Sequence, residues 1–126
     1  MQAPLSGVRI LDLSAVVSGP MATGILADQG ADVIKVETQG GDLTRRVGPI
    51  KGDMTSLFAT INRGKRCIVL DLKQEAARTI LRELAEKADV LVENFRPGAM
   101  QRLGFGYEQV KAWNPRIVYL SISGFG

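Results

Sequence analysis

Few residues in this chain are able to do chemistry, and their types narrow the field. There is no histidine, so a histidine-based triad and a histidine metal site are both out of reach. Cys67 is the single cysteine, which excludes an internal disulfide and a cysteine zinc cluster. It lies in the apolar run CIVLDL, where a buried structural thiol is expected, because a reactive one needs exposure and an electropositive setting. Carboxylates and cations remain. Asp12, Asp71 and Asp89 fall in or beside apolar runs, where capping or surface roles are expected. Arg45, Arg46 and Lys51 crowd one glycine-rich stretch, and Lys73 follows a β-branched run. Taken singly, each cation reads as plain surface; gathered at one end of a sheet, they could hold a phosphate-bearing ligand.

The elements that must position these groups alternate along the chain. Compact β-branched and aliphatic runs at residues 8–13, 32–37, 66–72, 89–93 and 116–123 read as strands, the first and fourth of them buried. Between them the sequence predicts helices over 20–29, 55–62, 74–88, 97–103 and 107–114. In the third of these, Ala77, Ile80, Leu81, Leu84, Ala85 and Ala88 recur at helical spacing, and Glu83 with Lys87 forms an i,i+4 pair on the wet side. Pro20 suits a first helical position and Gly30 a helix stop. Residues 38–56 hold five glycines and prolines with no clean period, a loop of functional length. Strands separated by helices imply an α/β fold, a parallel sheet with helices on both faces. Ligands of such sheets bind beyond the carboxyl ends of the strands, here residues 14–19, 38–52, 71–73, 93–98 and 123–126.

The first of those segments, SAVVSGP, stands where a dinucleotide-binding unit would carry G-x-G-x-x-G. Only Gly19 is near a required place. Glu37 ends the next strand, where a ribose-binding acid would fall, so half of the fingerprint is present. The helix start near Pro20 still offers N–H groups to an anion. A nicotinamide dinucleotide and a phosphate ligand held by side chains both stay open on these residues.

Bulk composition fits one soluble domain: 126 residues, 45% hydrophobic and 23% charged, with 16 basic against 13 acidic residues. The net charge of +3 comes without long basic runs or interleaved aromatics, which disfavours nucleic acid as a partner. No apolar window is long enough for a membrane span, no signal-peptide pattern opens the chain, and lone-cysteine usage fits a reducing cytoplasm.

Six segments, in order and spacing, resemble the N-terminal part of the family III CoA-transferases: PLSGVRILDLS, GPMATGILADQGADVIKVE, GGDLTRR, NRGKRCIVLDLK, ADVLVENFRPGAMQRLG and NPRIVYLSISGFG. That family includes formyl-CoA, succinyl-CoA and carnitine CoA-transferases and, as a branch, α-methylacyl-CoA racemase. The resemblance implies a Rossmann-like core that binds coenzyme A as part of an acyl-CoA substrate, with a carboxylate as the other substrate and no metal. Residues 1–126 would be the CoA-binding part of the large domain. Carried over position by position, the CoA contacts would be Ala15, Val16, Val17 and Ser18 in the first turn, acting mainly through backbone and shape. Leu70 and Lys73 would follow at the end of the third strand, Lys73 meeting a phosphate. Asn94 and Phe95 would flank the pantetheine path, and Arg102 would reach a phosphate.

The pattern also departs from the family. Many relatives carry an arginine directly after the acid of the second strand, where this chain has Thr38; Arg45 or Arg46 would substitute, or the contact is absent. Val47 stands where formyl-CoA transferases carry a tryptophan, which weakens a formate/oxalate reading. The resemblance places the catalytic aspartate beyond Gly126. That aspartate attacks the acyl-CoA and forms a mixed anhydride that leads on to an enzyme–CoA thioester. The expectation is an N-terminal piece, inactive alone, of a chain whose full-length form makes an interlocked homodimer. Alternatives are a racemase fragment, a nicotinamide-binding dehydrogenase domain and a non-catalytic interaction domain.

Overall fold

A computed structural model describes residues 2–125; Gly126, the last residue of the final strand-end segment, lies outside them. Seven strands and five α-helices follow in the order β1 (Arg9–Asp12), α1 (Ser18–Asp28), β2 (Asp32–Glu37), a 3-10 turn (Leu43–Arg46), β3 (Ile50–Lys51), β4 (Met54–Thr55), α2 (Ser56–Ile61), β5 (Arg66–Val69), α3 (Glu75–Lys87), β6 (Val90–Glu93), α4 (Ala99–Arg102), α5 (Tyr107–Trp113) and β7 (Val118–Ser121). Five strands form one parallel sheet in the order β5-β2-β1-β6-β7. Chain order therefore runs outward from β1 in both directions, and the direction reverses between β1 and β6. That reversal is a topological switch point, the usual location for a ligand in open α/β sheets.

Period-two alternation on β1 decides which face each helix covers. Ile10 joins Ala31, Val33 and Val92 on one face, with Leu26 and Ala27 of α1 packed there. Leu11 joins Leu81, Ala85, Leu91, Met100 and Val110 on the other, beneath α3, α4 and α5. Helices thus lie on both faces. Leu81 is fully buried, a contribution of about 1.5–3 kcal/mol for one such side chain.

Several local details differ from the sequence expectation. Helix α1 starts at Ser18, two residues early, so Pro20 falls inside the first turn; its missing N–H is still one the turn would leave unpaired. The 38–56 segment is not plain loop, because it holds the 3-10 turn and an antiparallel β3–β4 hairpin, both too short to leave a period. Thr55 caps α2 by accepting from the Phe58 N–H at 3.0 Å and donates to the Thr44 carbonyl at 2.5 Å, which ties hairpin, turn and helix together. On α3 the i,i+4 ion pair is Arg82–Glu86 at 2.9 Å rather than Glu83–Lys87; Arg82 lies over the Trp113 ring, 4.7 Å from its centroid. Pro97 precedes α4, which Gly98 leads into with φ 80°. Cys67 is exposed, not buried, because β5 is an edge strand. Partial desolvation of the thiol and then the nearby Glu37 carboxylate push its pKa up, which disfavours the reactive thiolate.

Candidate functional site

The turn after β1 is held by three side chains from three other segments. Lys35 Nζ donates to the Ser14 carbonyl at 2.8 Å. Asn94, just past β6, accepts from the Ala15 N–H at 2.9 Å and donates to the Ala15 carbonyl at 2.8 Å, bridging the switch point. The Val16 N–H donates to both oxygens of Asp42 at 3.3 Å. Val16 has φ 68°, the one non-glycine residue with positive φ among those described. A β-branched residue in that region is strained and persists only where its surroundings over-determine it. Ala15, Val16, Val17 and Ser18 are all exposed. Beneath them Gly19 leaves no room for a side chain, because a Cβ there would collide with Ser14.

Under the turn lies a charged network closed to solvent. Lys35 pairs with Asp42 at 3.0 Å, and both side chains are essentially inaccessible. Asp12 accepts from Lys65 at 2.9 Å, from the Thr23 hydroxyl at 2.6 Å, and from Ser14. Lys65 Nζ also reaches the Pro20 carbonyl at 2.7 Å and Asn62 at 2.8 Å. Glu37 accepts a bidentate fork from Arg45 at 2.6 and 2.7 Å and the Asp42 N–H at 2.9 Å, while Arg45 stacks 3.7 Å from the Phe58 ring centroid. Burial raises the pKa of Glu37 and of Asp42. For Glu37 the Arg45 fork and the Asp42 N–H outweigh that, and for Asp42 the Thr44 N–H and Lys35 do, so both carboxyls end below their ordinary range. Among the described residues no buried side-chain polar atom lacks a partner, as a network of this kind requires.

Two small cavities open side by side at the carboxyl ends of β1, β2 and β5. One, of about 70 Å³, is lined by Ser14, Ala15, Thr38, Gly41 and Phe95 among others. Its neighbour, of about 20 Å³, shares Thr38 and Phe95 and adds Leu70 and Leu72. Of the residues expected to contact the ligand, the structure brings Ala15, Leu70 and Phe95 to this crevice and uses Asn94 to clamp its rim. Leu70 is a buried wall. Val16, Val17 and Ser18 continue the turn into α1, whose N-terminus carries no side-chain cap. Lys73 and Arg102 are exposed and stand outside the cavity lining; no ion pair among the described residues takes up either. Sequence reasoning missed Lys35, Asp42 and Glu37 as the network behind the turn. The available signal was Lys35 itself, a charge in the middle of a strand that otherwise reads as buried.

Two expectations change on this geometry. Arg45 does not replace the missing arginine at Thr38, because its guanidinium is committed to Glu37 and Phe58. Glu37 is not a free acid for a ribose either, since it is 4% exposed and saturated by Arg45 and the Asp42 N–H. The aspartates expected to be structural are so placed. Asp12 is buried and paired, Asp71 accepts from the Lys73 N–H at 3.1 Å, and Asp89 accepts from the Arg9 N–H at 2.8 Å.

A parallel sheet with helices on both faces and a braced turn after β1 defines a Rossmann-like α/β unit. The chain belongs to CoA-transferase family III, whose family model matches residues 5–126. It is 52% identical to an acetyl-CoA:oxalate CoA-transferase of Acetobacter aceti, over 99% of this chain and 32% of that protein. A formyl-CoA:oxalate CoA-transferase of Streptomyces coelicolor is 51% identical over 97% of this chain and 30% of that protein. Among solved structures, a CAIB/BAIF family protein from Brucella suis superposes with a TM-score of 0.95 at 42% identity, covering all of this chain and 35% of that one. The chain thus spans about a third of the length of these relatives.

Proposed function

We propose that residues 1–126 form the CoA-binding portion of an acyl-CoA:carboxylate CoA-transferase. One observation carries the reading: the backbone of residues 14–16 is pinned at the switch point beside an apolar crevice, with the cations of Lys73 and Arg102 exposed and uncommitted. The comparisons support it from another side. The two transferases named above differ in acyl donor, acetyl in one and formyl in the other, yet this segment matches both almost equally. What their donors share is coenzyme A, so a segment indifferent to the acyl group fits a role in holding the CoA portion.

The crevice suits a narrow ligand end and not a nucleotide, because its two cavities hold only about 70 and 20 Å³. The pantetheine arm would pass by Ala15, Leu70, Asn94 and Phe95, with Val16, Val17 and Ser18 giving backbone and shape. The adenosine diphosphate portion would lie outside, where Lys73 and Arg102 can meet phosphates. Attack of an aspartate on the acyl-CoA carbonyl, giving a mixed anhydride, belongs in this reading to the part of the longer family chains beyond these residues. The purified chain is expected to show no CoA transfer in a thioester-exchange assay, and the interlocked homodimer is proposed for the longer form alone. A dehydrogenase reading is disfavoured because Glu37 would have to break its Arg45 pair to bind a ribose.

Calorimetric titration of the folded chain with CoA, dephospho-CoA and NAD tests the proposal. CoA should bind more tightly than dephospho-CoA, and Lys73→Ala should weaken CoA by roughly tenfold or more, the worth of one charge-assisted hydrogen bond. Binding of NAD in preference to CoA would overturn it.

A further inference from the structure

We infer that Lys35 and Asp42 are positioning residues that hold the turn at residues 14–16 in its ligand-receiving shape. This inference rests on the CoA reading of that turn but is testable apart from it. Both side chains are sealed from solvent. They border the small cavity under the turn, but their charged ends are spent on protein partners: Lys35 Nζ on the Ser14 carbonyl and Asp42, and the Asp42 carboxylate on Lys35, Val16 and Thr44. Each grips the turn directly: Lys35 through the Ser14 carbonyl and Asp42 through the Val16 N–H. The 3.0 Å ion pair between them joins the two grips, and Asn94 holds the peptide groups of Ala15 that lie between. Three consecutive residues are therefore fixed from β2, from the segment after it and from the end of β6.

Packing alone gives no reason for a lysine at position 35. Its neighbour on the same face of β2 is Val33, which is fully buried among apolar groups, and an unbranched apolar side chain would fill the space. Exchanging a buried ion pair for apolar groups is often neutral or stabilising, so such a pair is better read as fixing one conformation than as adding stability. The conformation that needs fixing is on the page. Val16 at φ 68° would relax toward negative φ if released, and that would redirect the backbone of the exposed turn that borders the crevice at Ala15. Asp42 is itself braced, accepting from the Thr44 N–H at 3.0 Å and the Thr44 hydroxyl at 2.8 Å. Its carboxylate can therefore hold Val16 without moving.

The double variant Lys35→Met/Asp42→Asn removes both charges while keeping volume and the acceptor toward Thr44. Backbone NMR order parameters and amide exchange are read on the free chain. The Val16 order parameter should fall from about 0.85 toward 0.6 or less, and exchange at Ala15 and Val16 should speed at least tenfold, while the core amides of Val33 and Leu91 stay protected. CoA affinity should fall at least tenfold. The control Arg66→Met/Asp32→Asn removes an ion pair at the opposite end of the sheet and should leave all three readouts unchanged. If the double variant does not fold, Asp42→Asn alone is read in the same way. Unchanged order and exchange at residues 14–16 in the folded variant would overturn the positioning role whatever CoA does. A loosened turn with unaltered CoA affinity would overturn its link to the ligand. If the unsubstituted chain binds no CoA while its turn loosens as expected, the positioning role stands and the CoA reading fails.

Discussion

The two ends of the central sheet are built from the same kinds of group and behave in opposite ways. At the amino ends, Arg66 pairs with Asp32 at 2.7 Å with both side chains about half exposed, around a cavity of about 210 Å³ that Arg9, Leu84 and Lys87 help to line. At the carboxyl ends, Lys35–Asp42 and Lys65–Asp12 are sealed from water, and the adjoining cavities are far smaller. Cavity size would choose the first end. Convergence chooses the second, because only there do strained backbone, a switch point and a saturated polar network meet. A large opening between exposed surface charges marks imperfect packing at an edge, whereas a pinned turn marks a shape that the fold spends several side chains to keep.

The contrast is broken most severely at Lys65. This lysine joins Asp12 of β1 to the Pro20 carbonyl of α1 and to Asn62 beyond α2. Lys65→Ala would leave Asp12 charged and buried, a loss of about 3–5 kcal/mol by the usual outcome of halving a buried pair. Urea unfolding followed by circular dichroism should show a lower midpoint with an unchanged slope. A loss below about 1 kcal/mol would mean that water reaches Asp12 and that the network is less closed than its geometry.

These two ends differ also in how legible they were. The strands, helices and α/β class could be read from periodicity, because burial on a sheet face or a helix stripe leaves a period in the residues themselves. Strand order could not, since it depends on pairings between distant segments, and with it the switch point between Ala15 and Asn94 stayed hidden. Cys67 was misread for a related reason: its apolar neighbours look alike on a central and on an edge strand. The turn was singled out from the sequence as a candidate ligand segment, but its brace was not. Lys35 and Asp42 lie in separate segments and become partners only when the chain folds. The segment NRGKR carries the family resemblance, yet its side chains build the scaffold. Asn62 and Lys65 join the network, Arg63 pairs with Asp28, and Arg66 pairs with Asp32.

Acid separates the ends next. The Glu37 and Asp42 carboxyls are held below their ordinary values of 4.5 and 3.8. A depressed folded pKa stabilises the native state above the unfolded value and ceases to do so as pH falls through the folded one. Stability should therefore be flat with respect to these groups above about pH 4.5 and decline below it. In Lys35→Met, Asp42 loses one of the donors that lower its pKa, so the share of the acid-limb decline owed to Asp42 should shrink. Thermal melts of both proteins between pH 6 and pH 3 compare the two slopes. An identical acid limb would argue that Lys35 does not set the protonation of Asp42.

The smallest effect is expected at the amino end and serves to bound the contrast from below. Arg66→Ala removes an ion pair whose arginine side chain is 66% exposed, and pairs of that kind are worth about 0.2–1 kcal/mol. Salt should erase even that, because exposed charges are screened over a Debye length of about 10 Å at 0.1 M ionic strength. The difference in unfolding free energy between Arg66→Ala and the parent chain should thus shrink toward zero as salt rises, while the Lys65→Ala deficit should barely move. If both deficits fell together with salt, burial would not be what distinguishes the two ends, and the carboxyl-end network would be ordinary surface charge in a crowded place.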